Sequence, residues 1–122
     1  MSGHTIEILP KTSFPILEFA QSPRQSVDIG TFKSGSIQVW ADLTAVGAST
    51  PTLNVTLQEA NLNEETSFVD VTDDSGSPAT VTLTNTGFAL LGVALKGRFV
   101  RVKVSPVDAQ CNVRVVLQLN RD

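Results

Sequence analysis

The densest set of chemically capable side chains is Asp70-Val-Thr-Asp-Asp-Ser-Gly76, where Asp70, Thr72 and Asp74 alternate. Calcium needs several oxygens converging from one loop, and alternate spacing supplies them. The glycine falls one position late for an EF-hand-type loop, and no bidentate glutamate follows. Asp, Ser and Gly are also ordinary hairpin-turn residues, so Asp70, Asp73 and Asp74 read as a turn and no metal is expected. Glu59, Glu64 and Glu65 offer paired carboxylates of the kind glycoside hydrolysis uses, but that chemistry requires two carboxyls held across a cleft. They flank Asn61-Leu-Asn63 as a loop tip would, and solvation explains them. Cys111 opens the alternating run Cys111-Asn-Val-Arg-Val115 and reads as a small buried hydrophobe rather than a nucleophile. With one cysteine and one histidine (His4), neither a disulfide nor a Cys/His or Ser/His/Asp arrangement with a credible second member is available. The expectation is a protein without catalytic residues, cofactor or metal, and not an enzyme.

Binding residues are better represented. Trp40 falls on the polar side of its strand, where an indole serves as an interface anchor or a sugar-stacking platform. The alternative is a strand covered on both faces, with Trp40 in the core. The chain has no tyrosine, which weakens the sugar reading, since glycan and single-strand platforms recruit several aromatics. Arg101, Lys103 and Arg114 are expected on outward faces of the last hairpin, with Phe99 on the Arg101 side. A basic strip of this kind can grip phosphate, but an isoelectric point near 5.0 argues against a specific nucleic-acid partner. The candidate interface is therefore Trp40, Phe99, Arg101, Lys103 and Arg114.

These residues are set on β-strands. Ile37, Val39, Ala41 and Leu43 alternate with polar neighbours, as do Leu53, Val55 and Leu57, then Val81 and Leu83, then Val100, Val102 and Val104, then Val113, Val115, Leu117 and Leu119. Period-two alternation places one face on a core and the other toward solvent or a partner. Turn clusters at Lys33–Ser36, Gly47–Pro51, Asp73–Pro78 and Ser105-Pro106 separate the runs. Strands are expected near 5–9, 25–33, 36–45, 53–60, 66–72, 79–84, 87–95, 98–105 and 111–119. Lys96-Gly97 is expected to close a tight hairpin. Phe88–Leu95 is apolar at both periods, and Gly92 within it favours a buried strand over a short helix. Eight or nine short antiparallel strands describe a single all-β domain over 1–122, a β-sandwich with a jelly roll as the leading topology. Pro10 and Pro15 mark residues 1–15 as an extended N-terminal arm able to lie on a neighbour.

The chain has 122 residues, 41% of them hydrophobic and 17% charged, which suits one core without disulfides. No apolar run approaches a membrane span, and Met1-Ser2-Gly3-His4 lacks the features of a secretory signal, so a cytoplasmic origin is expected. Charge is unevenly distributed. Residues 1–95 carry three basic and ten acidic groups, a balance of −7, while residues 96–122 carry six basic and two acidic groups, a balance of +4. That split suggests strip-to-loop contacts between copies or with an acidic neighbour.

Three segments, Ser36-Ile-Gln-Val-Trp-Ala-Asp-Leu-Thr-Ala-Val-Gly47, Thr50-Pro-Thr-Leu-Asn-Val-Thr-Leu-Gln-Glu59 and Gly97-Arg-Phe-Val-Arg-Val102, follow one another as in small β-sandwich virion proteins of tailed bacteriophages. The chain resembles that group over roughly residues 27–105. It departs at Thr66-Ser-Phe68, where an aromatic-rich turn is usual, and at Val107-Asp-Ala-Gln110, which replaces a glycine-rich turn. The resemblance implies a head decoration (cement) protein, or another accessory head or neck protein, without an active site. Its implied partners are the major capsid protein or other virion proteins, and further copies of itself, with a trimer favoured. No membrane is implied, and the implied location is the virion exterior after assembly in the host cytoplasm. A carbohydrate-binding module centred on Trp40 is the alternative from another class.

Overall fold

A computed structural model describes residues 3–14, 19–30, 32–47 and 50–120. In chain order its strands are β1 (Gly3–Phe14), β2 (Phe19–Ala20), β3 (Val27–Asp28), β4 (Ser34–Ala45), β5 (Thr52–Ala60), β6 (Val69–Asp70), β7 (Thr72–Asp73), β8 (Thr80–Leu83), β9 (Gly87–Ala94), β10 (Phe99–Val107) and β11 (Ala109–Asn120). Single 3-10 turns occupy Pro23–Gln25 and Glu65–Ser67. All strand pairings are antiparallel. The first sheet runs β1-β11-β4-β9-β7. In the second, β10 pairs with β5, β2 and β3 share the far side of β10, and β6 and β8 share the far side of β5.

If each shared edge counts once, there are nine strand positions, five in the first sheet and four in the second, the two-residue β7 being the fifth in the first. The chain visits the first sheet at β1, the second at β2/β3, the first at β4, the second at β5 and β6/β8 (with a two-residue excursion to the first sheet at β7 between β6 and β8), the first at β9, the second at β10 and the first at β11. That is the winding of a jelly roll, and the strand count agrees with the alternation. The reason is the inward residues. Ile37 and Val39 on β4, Leu53, Val55 and Leu57 on β5, Val100, Val102 and Val104 on β10, and Val113, Val115 and Leu117 on β11 have no exposed surface. Each such side chain contributes about 1.5–3 kcal/mol of burial, so a one-residue slip of any strand would turn its whole apolar set outward. Among the described residues no helix is long and apolar enough to cross a membrane.

Four local expectations need correction. Lys96-Gly97 does not close a hairpin, because β9 and β10 lie in different sheets and the dipeptide carries the chain across the sandwich. Gly97 is required there by space, since a Cβ would stand 2.9 Å from the Ala60 nitrogen. β10 and β11 are likewise in opposite sheets, joined through Asp108 in a left-handed conformation (φ 51°). The expected strand 66–72 is broken: a 3-10 turn precedes β6, and the chain then leaves β5 to place β7 against β9. Of the expected strand 25–33, only Val27–Asp28 pairs, while Gln25 ends a 3-10 turn and residue 31 lies outside the described residues.

The N-terminal segment is extended, as expected of an arm, but from Gly3 to Phe14 it lies along its own chain's β11. Residues 1, 2 and 15 lie outside the described residues. The pairing with β11 shifts register between Glu7 and Leu9 and again between Leu9 and Thr12, around Pro10, as bulges accommodate a residue that cannot donate. The first bulge aims the Ile8 carbonyl at Gln21, which is 3% exposed. Gln21 Nε2 donates to that carbonyl (2.9 Å), and its Oε1 accepts from the Val102 N–H on β10 (2.9 Å). One buried amide thus joins the two sheets with both polar ends satisfied.

Candidate functional site

The chemically equipped residues resolve as structure. Asp73 Oδ1 accepts from the Ser75 N–H (2.9 Å), the Ser75 hydroxyl (2.8 Å) and the Ser77 N–H (3.0 Å), which folds the loop back on itself. Asp70 accepts from Gln58 Nε2 (3.1 Å), and the Asp74 carboxylate lies against Gly92 of β9. Among the described residues no three His, Cys, Asp or Glu side chains are grouped to hold a metal ion. Glu59 is not solvated at a loop tip. It is 5% exposed, and its Oε1 accepts the N–H groups of Lys96 (2.6 Å) and Gly97 (2.7 Å). Cys111 is buried, which pushes its thiol pKa up and keeps it protonated.

Two exposed carboxyls do have shifted titrations. Asp28 is held below the usual carboxylate range first by the hydrogen bonds from Arg98, then by the Gly30 N–H; Asp73 is lowered first by the Ser75 hydroxyl and then by the Ser77 N–H. A carboxyl with a lower pKa folded than unfolded stabilises the fold above its unfolded value. That contribution is lost as pH falls through the folded value. Thermal stability should therefore be level near neutrality and fall between about pH 5 and pH 2. Combining Asp28→Asn with Asp73→Asn should flatten that acid limb. Melting curves across the range check this, and an equally steep limb in the double variant would rule these two carboxyls out as its source.

The candidate interface residues separate onto opposite faces of the sandwich. Phe99, Arg101 and Lys103 lie on β10 in the second sheet, whereas Trp40 and Arg114 lie opposite each other on β4 and β11 in the first. The expected single basic strip is therefore absent, because consecutive strands β10 and β11 cross between sheets. Arg101 is also not on the surface. It is 5% exposed, stacks over the Phe68 ring at 4.3 Å, pairs with Glu65 (2.7 Å), and donates to Gln58 Oε1 (3.0 Å) and the Gln21 carbonyl (2.8 Å). The acidic loop expected to meet a neighbour's arginine is closed over this chain's own. Lys103 stands opposite Thr56 and Ala20, and Phe99 lies 5.3 Å beneath the Arg98 guanidinium, which makes a bidentate pair with Asp28.

No protein-family model matches this chain, and no curated protein matches it. The surface best equipped for contact is the outer face of the first sheet. Trp40 points outward there, partly buried under Arg114, whose guanidinium lies 5.0 Å from the indole and pairs with Glu7 (2.6 Å). Lys11, Trp40, Asp42, Thr86, Gly87 and Arg114 border a shallow groove of about 280 Å³. Beside Trp40 in register is Phe88, and two residues along is Leu90, opposite Gln38; Phe88 and Leu90 are each 67% exposed.

Phe88 and Leu90 were hidden by composition. A segment apolar at both periods reads as buried on both faces, yet β9 has Val93 in the core while Phe88 and Leu90 face water. The available signal was the pair of large side chains alternating with Ala89, which aligns with Trp40 only once β4 and β9 are paired.

Proposed function

We propose that this protein is a non-enzymatic virion component, a capsid decoration protein that attaches to the major capsid lattice and stabilises it. The observation that carries attachment is the exposed pair Phe88 and Leu90 beside the partly buried Trp40 on the outer face of the first sheet. Two large apolar side chains two-thirds exposed beside an anchored indole suit a protein contact with an apolar centre and a polar rim. The rim is present in the pairs Glu7–Arg114 and Lys11–Asp42. The virion assignment itself rests on the resemblance of the three segments to phage β-sandwich proteins. With Arg101 committed inside the chain, attachment rests on apolar contact more than on a basic strip, so molar salt weakens it only modestly.

The test is co-sedimentation with emptied particles of the parent phage. Wild-type protein should bind and raise the temperature at which the shells disrupt. Phe88→Ser with Leu90→Ser should weaken binding by about tenfold or more, as loss of interface anchors does, with an unchanged circular dichroism spectrum. Failure of the wild type to bind would refute the capsid reading. The groove beside Trp40 favours a carbohydrate ligand as the second reading, although Arg114 covers the ring face a sugar would use. Specific glycan-array binding, increased by Arg114→Ala, would establish that reading instead.

A further inference from the structure

The four sheet edges are not equally protected. β1 carries Pro10, two register shifts, Glu7 and Lys11. The β2/β3 edge consists of two-residue strands interrupted by a 3-10 turn, and the β6/β8 edge of strands of two and four residues. Proline, bulges, charge and brevity are the means by which sheet edges avoid pairing with other chains. β9 has none of them. β7 covers it only at Val93 and Ala94, the Asp74 carboxylate lies against Gly92, and among the described residues no strand pairs with Gly87–Leu91 on the side away from β4. That segment contains no charge and no proline.

We propose that the free edge of β9 pairs antiparallel with β9 of a second copy, about a two-fold axis at Ala89. A two-fold contact sets a strand against itself, so charges of one sign along it would gather with their copies about the axis; an uncharged strand suits this occupant in particular. The register follows from the free length. Gly87–Leu91 is centred on Ala89, which places Phe88 opposite the partner's Leu90 and Leu90 opposite the partner's Phe88. Both are outward-facing and two-thirds exposed, so each apolar side chain gains a cross-strand neighbour. An axis at Leu90 would instead set Phe88 against the partner's Gly92, where the Asp74 carboxylate lies. The joined first sheets present one continuous apolar strip with a Trp40 on either side. Five residues of ladder and two side-chain pairs place the contact in the small class, below about 1,200 Å², so the dimer forms by concentration. The arrangement is two-fold, unlike the three-fold one implied by the resemblance to virion proteins. It concerns the free protein and does not depend on capsid attachment.

The experiment is sedimentation of the full chain without particles, over a concentration series from low micromolar to millimolar. Wild-type protein should pass from monomer to dimer. Phe88→Glu with Leu90→Glu sets like charges opposite each other and should weaken dimerisation by more than about tenfold. Phe88→Glu with Leu90→Lys sets opposite charges in the same register and should retain the dimer. Circular dichroism confirms folding of each. A monomer at every wild-type concentration, a larger assembly of other symmetry, or equal behaviour of the two charged variants overturns the proposal.

Discussion

Arg101→Glu lowers the urea midpoint of unfolding by more than about 1 M, and leaves the protein partly unfolded without denaturant if its stability lies at the low end of the usual range. The side chain is held on four sides, by the Phe68 ring, Glu65, the Gln58 amide and the Gln21 carbonyl. The substitution removes the stacking and all three donated bonds. It also puts a carboxylate beside Glu65 and the oxygens that had accepted from the guanidinium. Breaking a buried, hydrogen-bonded charge pair costs about 3–5 kcal/mol, because the groups left behind lose their compensation. Glu65 is largely exposed and can turn to water, but the Gln21 carbonyl is buried and cannot. Arg101→Lys should fall between, since an ammonium keeps the charge without the planar fork that stacks and bonds at once. Urea titration followed by tryptophan fluorescence measures both. A midpoint equal to wild type for Arg101→Glu would mean that the loop at Glu65–Phe68 does not close over this residue. Weaker attachment to particles by this variant would consequently report loss of fold, not loss of a contact.

Glu59→Ala comes next in size. Its carboxylate accepts the N–H groups of Lys96 and Gly97 where the chain crosses from β9 to β10. Alanine leaves both donors partly buried against Ala60 without an acceptor. The cost expected is about 2–4 kcal/mol, from two charge-assisted bonds offset by whatever water can reach the gap. Glu59→Gln keeps an oxygen in place and should lose roughly half as much, since neutral bonds are about half as strong. The readout that distinguishes a pinned crossover from general loss of packing is amide hydrogen exchange. Lys96 and Gly97 should lose protection in Glu59→Ala at denaturant concentrations where β5 and β10 remain protected. Unchanged protection at those two amides would remove Glu59 from this role.

Both positions show where one-dimensional reading stops. The alternation of apolar residues by itself determined that the chain is all-β, which residues face the core, and that the strands form a sandwich. Period two depends only on side-chain direction along each strand and needs no partner to be read. The turn chemistry around Asp73 was equally local, because an aspartate accepting from amides two and four residues on is decided within the loop. Which strands lie side by side is not local. Lys96-Gly97 has the composition of a hairpin, but the winding of the jelly roll sends β10 to the other sheet and makes the dipeptide a crossover. The same crossing between β10 and β11 puts Arg101 and Arg114 on opposite faces, although both alternate outward in sequence. Outward also proved different from exposed, for Arg101 is covered by a loop whose Glu65 and Phe68 lie some thirty-five residues earlier in the chain. Phe88 and Leu90 show the reverse: an apolar strand is buried on both faces only in a sheet with layers on either side, and tertiary structure left β9 with water on its outer face. Periodicity reports the direction of a side chain, whereas burial and neighbours depend on what the rest of the chain places above it, and only the folded structure decides that.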